Sequence, residues 1–465
     1  MPPWYSTGSN HSDTVAGRRL HSATRLNARV DLLRLQTLRR DQYPYLLQSV
    51  SQSGSQARYD ILCAFPQETI TLNSVDTGAP DFLSILDQFT AEREILPATA
   101  DDLPFVGGWF VYLGYELAAQ IEPVLDIPGI NADGLPVAFA SHTPAAIIND
   151  HLLQCCFIVT QSGWQHLERE ILRDIERSLH RPVPDGLIPE AEIREEIPEK
   201  YLQDIKRIKD YIRDGDVFQV NLSRSWELEF KKPLAAGTLY RRLCHHNPAP
   251  FAASVHHQDT AIISSSPERL FKVIGDSVET RPIAGTRPRH GESAQDHAYL
   301  QELLSHPKER AEHIMLIDLE RNDLGRICRA GSVQVNELMV LESYAHVHHI
   351  VSNVQGKLQE AMTPGRLIRA LFPGGTITGC PKIRCMQIIA ELERTQRGPY
   401  TGAVGYISAN GNMDFNILIR TLTLHGNRVK FRTGAGIVAD SVPQRELDET
   451  RAKARGLLLA LGLQA

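Results

Sequence analysis

The spacing of apolar residues along the chain predicts several amphipathic helices. Over residues 198–212, leucine and isoleucine recur every three or four positions after an opening proline, and a glycine follows where the helix should end. A second helix is predicted over residues 305–327, which open with a serine shortly before a proline. The last helix is predicted to open at Ser441, whose spacing to Gln444 is that of a capping box.

Segments in which apolar and polar residues alternate predict β-strands. These segments are YDILCAFPQETITLN (59–73), AAIINDHLLQCCFIVTQSG (145–163), DVFQVNLSRSWELEF (216–230) and residues 400–440, where Asn-Gly-Asn and His-Gly-Asn turns separate antiparallel strands. Residues 260–285 are predicted as two strands joined by a Gly-Asp turn. A glycine-punctuated aromatic run over residues 103–123 is predicted to lead into a short helix.

Three regions are predicted along the chain. A polar segment rich in proline, residues 180–197, separates an N-terminal module over residues 26–180 from a second module over residues 195–462. Residues 1–25 are polar and rich in serine and glycine, which predicts a disordered tail. The sequence contains no internal repeat.

Composition and charge restrict the classes of function. The 465 residues include 49 basic and 55 acidic side chains, and the net charge of −6 argues against nucleic acid as the main ligand. No apolar run reaches the ~20 residues that span a bilayer, and the N-terminus lacks the apolar region of a secretory signal, so no membrane is expected. The seven cysteines form no C-x-x-C pair, which predicts a cytoplasmic protein. A reactive thiol at Cys380 or Cys385 is the alternative to buried structural cysteines.

Two predicted helices carry acidic residues that suit a divalent cation. Glu446, Glu449 and Lys453 are three and four residues apart and therefore share one helical face. That face is either a solvated surface with a Glu–Lys pair or carboxylates presented to a cation, with the lysine beside them for an anionic ligand. Glu312, on another helix, is either a boundary residue or a further ligand. Magnesium takes one or two carboxylates and completes its shell with water and substrate oxygens.

Glu268 and three histidines are further candidates. Glu268 follows a strand and a proline, where burial would raise its pKa and suit a general acid; the alternative is a salt bridge to Arg269 or to a nearby basic residue. On a strand, His346 and His348 share one face and allow a zinc pair, although no third ligand of suitable spacing is evident. His349 points the other way, either as a core residue or to orient a substrate hydroxyl.

Three segments rich in glycine or arginine suit a small anion. FPGGTITGCPK (372–382) and RTGAGIV (432–438) either expose backbone N–H groups to an anion or form two tight turns. Neither has the spacing of a Walker A motif or a dinucleotide fingerprint. The third segment, TRPIAGTRPR (280–289), places three arginines around Ala284, and it is either a structural turn or an anion-binding loop.

The order of motifs resembles the chorismate-utilising enzymes, which include anthranilate synthase component I, aminodeoxychorismate synthase component I, and the isochorismate and salicylate synthases. The motifs are GDVFQVNLSR, SSPERLF, RPIAGTRPR, RAEHIMLIDLERNDLGR, VHHIVSNV, FPGGTITGCPK, YTGAVGYIS, GNMDFNILIRTL, GAGIVADS and DETRAKA. The resemblance covers residues 26–460. It implies an α+β fold of the anthranilate synthase component I type: a sandwich of two antiparallel β-sheets flanked by helices, with the site in the cleft.

The resemblance also implies roles for individual residues. Glu312 and Glu449 match magnesium ligands, with Glu446 beside them, so Mg²⁺ is the expected cofactor. The residues that match substrate contacts are Thr376, Tyr400, Arg420, Gly434, Ala435, Gly436 and Lys453. Among these, Arg420, Tyr400 and the glycine-rich backbone are implied to hold the enolpyruvyl carboxylate. Glu268 matches a general acid that assists departure of the C4 hydroxyl, and His349 matches a histidine near that leaving group.

Gln219 bears on which nucleophile attacks chorismate. Family members that add water resemble one another in placing a lysine base where this chain has Gln219, and a glutamine cannot deprotonate water. The resemblance therefore favours ammonia, which a separate glutaminase (glutamine amidotransferase) subunit would supply.

Ala284 bears on the position of amination. FQVNLSR, NPAPFAASV, SSSPERLF and FPGGTITGCPK look more like aminodeoxychorismate synthase component I, which aminates chorismate at C4 for para-aminobenzoate and folate synthesis. Much of that group has a lysine at the position of Ala284, whereas anthranilate synthases carry PIAGT, as here. Anthranilate synthase, which aminates C2 and releases pyruvate for tryptophan synthesis, is therefore the alternative. A non-catalytic chorismate-binding regulatory subunit is a third hypothesis.

The N-terminal module contains one further resemblance. YLLQSV, Tyr45 to Val50, is similar to the region where anthranilate synthases bind feedback tryptophan, usually with LLES. Gln48 replaces the glutamate of that pattern, so we expect no inhibition by tryptophan. A structural pocket is the alternative.

Overall fold

The computed structural model describes residues 14–15, 18–19, 21–51, 58–76, 78–91, 103–127, 134–181, 186–288, 307–343 and 347–463. These residues form two large antiparallel β-sheets, a short hairpin and ten α-helices. The helices are α1 Leu32–Leu38, α2 Phe82–Ala91, α3 Ala118–Ile121, α4 His166–Leu179, α5 Pro198–Arg213, α6 Ala236–His246, α7 Pro307–Gly325, α8 Pro364–Leu371, α9 Lys382–Glu393 and α10 Pro443–Ala460. Tyr115–Leu117 and Gly375–Ile377 are 3₁₀ turns.

The strands range from two to twelve residues, and several consecutive strands connect through tight turns. From the N-terminus to the end of the first predicted module they are β1 Thr14–Val15, β2 Arg18–Arg19, β3 His21–Leu26, β4 Tyr45–Gln48, β5 Tyr59–Ala64, β6 Thr69–Leu72, β7 Gly108–Leu113, β8 Ala138–Thr143, β9 Ala145–Asp150 and β10 Cys155–Gln161. The later strands are β11 Ala191–Glu195, β12 Gln219–Phe230, β13 Phe251–His257, β14 Thr260–Ser266, β15 Arg269–Ile274, β16 Ser277–Thr280, β17 Ile283–Pro288, β18 Gln334–Ser343, β19 Val347–Lys357, β20 Gly379–Cys380, β21 Ala403–Ser408, β22 Met413–Ile417, β23 Thr421–His425 and β24 Arg428–Ile437.

Each large sheet joins strands from both predicted modules. The first sheet has the order β11-β12-β24-β23-β14-β13-β4-β5-β9-β10-β3, with β20 beside β12. The second has the order β17-β19-β16-β15-β22-β21-β7-β8-β6, with β18 beside β19. Strands of the two modules meet at β13 and β4 in the first sheet and at β21 and β7 in the second. The two modules therefore share both sheets and the core between them.

The core between the sheets is rich in aromatic side chains. Tyr45 on β4 stacks on Phe110 on β7 with ring centroids 4.0 Å apart, and Ile61, Phe139 and Ile148 pack in the same cluster. Helices α1, α4, α6 and α10 bury their apolar residues against the outer face of the first sheet, and α2, α7 and α8 do so against the second. Helices α5 and α9 pack with β12 and β24. This arrangement is the predicted sandwich of two antiparallel sheets flanked by helices.

Three sequence-based predictions need correction. Residues 21–25, assigned to a disordered tail, belong to β3, which pairs with β10; His21 and Thr24 are buried there although they are polar. Residues 260–285 contribute to four strands, β14 to β17, because the backbone leaves one sheet after Ser266 and joins the other at Arg269. The capping box does not form: Ser441 Oγ accepts from the backbone N of Val438, and α10 begins at Pro443.

The predicted helix over residues 198–212 is confirmed as α5, and the one over 305–327 is confirmed as α7 from its proline onward. The described residues include no helix that is both long and apolar enough to cross a bilayer.

Candidate active site

Glu268 lies at the point where the chain passes from the first sheet to the second. Its side chain is buried, and its Oε1 accepts a 2.7 Å hydrogen bond from the hydroxyl of Thr376. Burial raises the pKa of Glu268 to about 7, although Thr376, Lys453 and Arg420 favour the charged form. Of the predicted alternatives, a salt bridge to Arg269 does not form, because that guanidinium pairs with acidic residues of the second sheet. The basic residues whose charges act on Glu268 are Lys453 and Arg420. The carboxyl is therefore held as a weak acid close to neutral pH.

Arg420 brings a cation to the same carboxyl from the turn between β22 and β23. Its backbone has a φ of 51°, a left-handed conformation that is uncommon outside glycine, and its carbonyl accepts from the backbone N of Ser265. The guanidinium contacts Asn247 Oδ1 at 3.4 Å. Burial lowers the pKa of Arg420, and Glu268 opposes that effect. An arginine placed in this way suits the carboxylate of a bound ligand.

Residues 432–437 of the segment RTGAGIV belong to strand β24, as the strands predicted over residues 400–440 lead one to expect, and they do not form a tight turn. Gly434 pairs with Ser223 and Gly436 with Asn221 of β12. After Phe431, β12 is the only described strand that pairs with β24. One backbone edge of the Gly434–Gly436 segment is thus left for other groups. Lys453 Nζ, for example, donates to the carbonyl of Gly434 at 2.9 Å.

The two glycines of this segment are required by close neighbours. A Cβ at Gly434 would lie 2.6 Å from the carbonyl oxygen of Leu222 and 2.7 Å from the hydroxyl of Tyr400. A Cβ at Gly436 would lie 2.2 Å from Nε2 of Gln219. Tyr400 and Gln219 therefore lie directly on the strand, and Gly434 and Gly436 allow that approach. Burial raises the pKa of Tyr400 to about 12, so its hydroxyl is a hydrogen-bond donor at neutral pH.

Gln219 also faces helix α7. Its Nε2 is 3.5 Å from Oε1 of Glu312, so an amide occupies the position between that carboxylate and Gly436. Helix α7 packs against β17 and β19 and against the turn that carries Thr376. The structure thereby brings Gln219, Glu312 and Gly436 together from three separate segments.

Helix α10, which packs against the same strand, carries two further acidic side chains of the candidate site. Glu449 forms a 2.7 Å ion pair with Lys453, and Glu446 is buried. Burial raises the pKa of Tyr201 well above its ordinary value, and the charges of Glu446 and Glu449 add to the rise, so both carboxylates lie near that hydroxyl. The sequence offered two interpretations of this face. The structure shows the Glu–Lys pair and also directs the lysine to the strand of the candidate site.

The donors fit Mg²⁺ by type, since carboxylate oxygens are the side-chain ligands that this hard cation prefers. Among the described side chains, no group of three or more His, Cys, Asp or Glu residues is arranged to hold a metal ion. Glu312, Glu446 and Glu449 would therefore not form a complete cage; one or two of them would act with water and substrate oxygens. The assignment of Mg²⁺ stays a prediction.

Only some of the remaining predicted site residues are described by the structure. His349 is buried on β19, and in the backbone register it pairs with Thr286, while Ala284 pairs with Ile350. This register sets His349 beside β17, the strand that carries Ala284, so the central residues of TRPIAGTRPR form a strand in place of the predicted turn or loop. The side chains of Ala284 and His348, and the whole of His346, lie outside the described residues, so the zinc hypothesis is not addressed.

Sequence reasoning missed several residues that hold the site. Asn247 contacts Arg420, and Tyr201 lies beside the α10 carboxylates. Arg397 is buried behind Tyr400, with its guanidinium 5.6 Å from the centre of that ring. Asn247 opens the quoted NPAPFAASV motif and could have been found there. Tyr201 and Arg397 carry no local signal, because their importance depends on partners distant in the sequence.

A separate cavity of about 300 Å³ lies between the sheets at the segment YLLQSV, lined in part by Leu47, Gln48, Ser49, Pro250 and Phe251. Gln48 contributes to its wall while its amide is held by other groups. Its Oε1 accepts from the hydroxyl of Tyr240 at 3.0 Å, and its Nε2 donates to Asp60 at 3.2 Å. A neutral amide satisfies both partners, whereas a glutamate there would face the carboxylate of Asp60. The expectation about tryptophan stays a prediction.

The sequence profile of one family matches most of the chain. The family is described as chorismate binding enzyme, and the match covers residues 44–459. The chain belongs to the chorismate binding enzyme family.

Two curated relatives of this chorismate binding enzyme differ in their stated function. An anthranilate synthase component I-like protein of Synechocystis is 44% identical over 78% of this chain and 74% of its own length. An aminodeoxychorismate synthase component 1 of Bacillus subtilis is 41% identical over 77% of this chain and 78% of its own length. Several further relatives are named anthranilate synthase component 1.

A solved structure agrees with the fold. Anthranilate synthase component I from Streptococcus pneumoniae TIGR4 is 33% identical, with a TM-score of 0.76 over 87% of this chain and 93% of its own. The predicted α+β sandwich of the anthranilate synthase component I type is confirmed, and so is the resemblance to chorismate-utilising enzymes. The family and these relatives make the chain an enzyme that acts on chorismate.

Proposed function

We propose that this chain aminates chorismate at C4, as the first component of an aminodeoxychorismate synthase. A glutamine amidotransferase subunit would supply the ammonia, and the product would be 4-amino-4-deoxychorismate for para-aminobenzoate and folate synthesis. The cytoplasm is the expected location of such an enzyme. The position of Gln219 is the observation that favours ammonia as the nucleophile, because its amide faces Glu312 and Gly436. An amide cannot remove a proton from water, whereas ammonia is nucleophilic without a base.

The environment of Glu268 supports its role as the acid. In the proposed reaction a C4–N bond forms and the C4–O bond breaks. Glu268 donates its proton to the departing hydroxyl, which leaves as water, and the ammonium formed at C4 returns a proton. A carboxyl with a pKa of about 7 can give and regain that proton near neutral pH. Thr376 fixes the orientation of its Oε1 through a 2.7 Å hydrogen bond.

Cationic and backbone groups around the Gly434–Gly436 strand suit the two carboxylates of chorismate. Arg420 and the hydroxyl of Tyr400 would hold the enolpyruvyl carboxylate, and Lys453 already reaches the carbonyl of Gly434. Glu312 and Glu449, with Glu446, would hold Mg²⁺, which when bound would bind the other carboxylate and offset its charge. His349 would lie near the leaving hydroxyl.

Four motifs and the Bacillus subtilis relative support amination at C4, while Ala284 favours a second candidate. The position of Ala284 is occupied by a lysine in much of the aminodeoxychorismate group, so amination at C4 would here proceed without a lysine adduct. Anthranilate synthase needs no such lysine, and more of the named relatives are anthranilate synthases. Amination at C2 with release of pyruvate is therefore the second candidate.

Identification of the product distinguishes the candidates. The purified chain is incubated with chorismate, magnesium and ammonium, and the products are separated and identified by mass spectrometry. We expect 4-amino-4-deoxychorismate without pyruvate. Anthranilate together with pyruvate would establish the second candidate, and isochorismate would contradict the use of ammonia. Glutamine should replace ammonium only when an amidotransferase subunit is added.

A non-catalytic regulatory subunit is the remaining hypothesis. Glu268, Glu312, Glu446 and Glu449 are all present, which favours a working enzyme. Absence of turnover by the wild-type chain, with retained binding of chorismate, would support the regulatory subunit. A Glu449→Ala variant with full turnover would show that the metal ligands are wrongly assigned.

A further inference from the structure

Arg397 lies between α9 and β21, and its side chain uses every hydrogen-bond donor that it has. Nε and Nη2 donate to the carboxylate of Glu393 at 3.0 and 2.7 Å, and Nη2 also donates to the carbonyl of Asn221 at 2.7 Å. Nη1 donates to the carbonyl of Ile377 at 3.3 Å and to Oγ1 of Thr401 at 3.2 Å. An arginine has five N–H groups, and here all five are directed at named partners.

Three of these partners are neighbours of candidate substrate contacts. Ile377 follows Thr376 in the 3₁₀ turn, and Thr401 follows Tyr400. Asn221 pairs with Gly436 in the register of β12 and β24. One guanidinium thus joins three walls of the site that lie far apart in the sequence. None of these bonds is made by the substrate-facing side chains themselves, so Arg397 would act through its neighbours.

Aromatic rings fix the guanidinium on two further sides. It lies 4.9 Å from the ring centre of Tyr115 and 5.6 Å from that of Tyr400. Both rings belong to buried residues, and cations over aromatic faces are favourable where water is excluded. A movement of Arg397 would therefore displace the ring of Tyr400, whose hydroxyl lies against Gly434.

Glu393 keeps this arginine in one orientation. Its Oε1 accepts from both the backbone N and the hydroxyl of Ser223 at 2.8 Å, and its Oε2 accepts from Arg432 at 3.0 Å. Burial alone would raise the pKa of Glu393, but Arg397, Arg432 and Ser223 hold it at about 2. The carboxylate is therefore ionised, and it anchors Arg397 to β12 through a salt bridge buried on both sides.

We propose that Arg397 is a positioning residue for chorismate. It would hold the turn of Thr376, the ring of Tyr400 and the strand opposite Gly436 at the spacing that the substrate requires. This inference rests on the proposed function, since the walls it joins are defined by the predicted substrate contacts. A lysine cannot take over the role, because it has three donors on one nitrogen and no planar fork.

The test compares Arg397→Lys with Arg39→Lys as a matched control. Arg39 also pairs with a buried carboxylate, but its partners Glu170 and Asp174 both lie on α4. Melting temperature and the kinetics of amination are measured for both variants, below the melting range of each. We expect Arg397→Lys to lower kcat/KM by about tenfold or more, chiefly through KM for chorismate, and Arg39→Lys to stay within about twofold. Equal loss of stability with kcat/KM unchanged in both would overturn the proposal.

A double-mutant cycle separates positioning from general structural support. If Arg397 acts largely through Tyr400, then Tyr400→Phe should cost much less in the Arg397→Lys background than in the wild type. If the two substitutions act independently, so that their fold-changes in kcat/KM simply multiply in the double variant, the proposal is contradicted. Should Arg397→Lys fail to fold, Thr401→Val removes one anchor of the guanidinium and should still raise KM; an unchanged KM in that variant would count against the inference.

The proposed function and this inference can fail separately. A wild-type chain that makes no aminated product refutes the proposed function. Arg397 is then judged by titration calorimetry with chorismate and magnesium, where Arg397→Lys should weaken binding about tenfold relative to wild type and Arg39→Lys should not. Equal affinities for the three proteins, or no binding of chorismate to any of them, would overturn the inference.

Discussion

The hydroxyl of Thr376 donates a 2.7 Å hydrogen bond to Oε1 of Glu268, across 108 positions of sequence. This bond joins the 3₁₀ turn after α8 to the point where the chain changes sheets. It favours the charged form of the carboxyl, while burial favours the neutral form more strongly. The pKa of Glu268 is thus set by two opposing effects, and each can be changed separately.

Replacing Thr376 by valine should raise the pKa of Glu268 above its value of about 7, because a donor to the charged form is lost. If Glu268 is the general acid, the fall of kcat with rising pH should move to higher pH. A pH profile of kcat checks this. Thr378→Val is the control, since Thr378 donates only to the carbonyls of Gly374 and Gly375. A profile that moves to lower pH in Thr376→Val would contradict the assignment.

Glu268→Gln should lower kcat by about a hundredfold or more, the usual contribution of a general acid. The same substitution tests the burial of the charge. A carboxyl whose pKa is raised on folding stabilises the fold at pH values below its ordinary pKa of 4.5. That contribution is lost as the pH rises through about 7. Relative to Glu268→Gln, the wild type should lose roughly 3 kcal/mol across this interval. Urea denaturation at several pH values measures the difference, and a constant difference would refute the burial argument.

Glu312→Gln and Glu449→Gln should each raise the magnesium concentration for half-maximal activity by about tenfold or more, because a carboxylate ligand is lost. Asp448→Asn is the control, since Asp448 is an exposed acid on the same helix, bonded to Gln444. Activity is measured against magnesium concentration after removal of bound metal. Equal curves for all three variants and the wild type would place the metal elsewhere.

Gly434→Ala and Gly436→Ala should differ in their effects on stability. The Cβ at Gly434 meets the backbone carbonyl of Leu222, which cannot move without shifting a strand, so we expect a loss of about 1–3 kcal/mol. The Cβ at Gly436 meets the end of the flexible Gln219 side chain, which can turn away. That variant should fold nearly normally and lose activity, because Gln219 is displaced. Denaturant titrations and amination rates test the pair, and the opposite order of stabilities would contradict the packing described.

Gln48→Glu should destabilise the fold at neutral pH, because the new carboxylate would lie close to Asp60, which Gln48 contacts at 3.2 Å. Two like unit charges at this separation repel by at most about 5 kcal/mol at the effective dielectric constant of about 20 that applies near a protein surface, and the cost should fall as acid protonates one of them. Adding Asp60→Asn should restore stability. Denaturant titration measures these changes.

We also expect no micromolar binding of tryptophan to the wild type, and calorimetry that detects it would contradict the interpretation of Gln48.

The sequence by itself determined the family, the fold class and the main helices. Ten motifs in one order indicate a chorismate-utilising enzyme, and the apolar periodicity of residues 198–212 predicts α5, since a helix buries residues three and four positions apart. The same local spacing placed Glu446, Glu449 and Lys453 on one face of α10, where Glu449 and Lys453 form an ion pair. Such features depend on neighbours within one or two turns, so the chain reports them directly.

Only the tertiary structure decided which distant residues meet. Strand register placed Gly434 and Gly436 of the predicted strand opposite Ser223 and Asn221 of β12, a pairing that local composition does not give. Packing of helix α7 and of the turn at Thr376 against the sheets brought Glu312 to Gln219 and Thr376 to Glu268, and the fold gave Arg397 partners on three separate segments. Apolar periodicity does not encode such contacts, because they arise from the order and register of strands that are far apart in the sequence. The residues that line the site could be predicted from motifs, but the network that holds them in place could not.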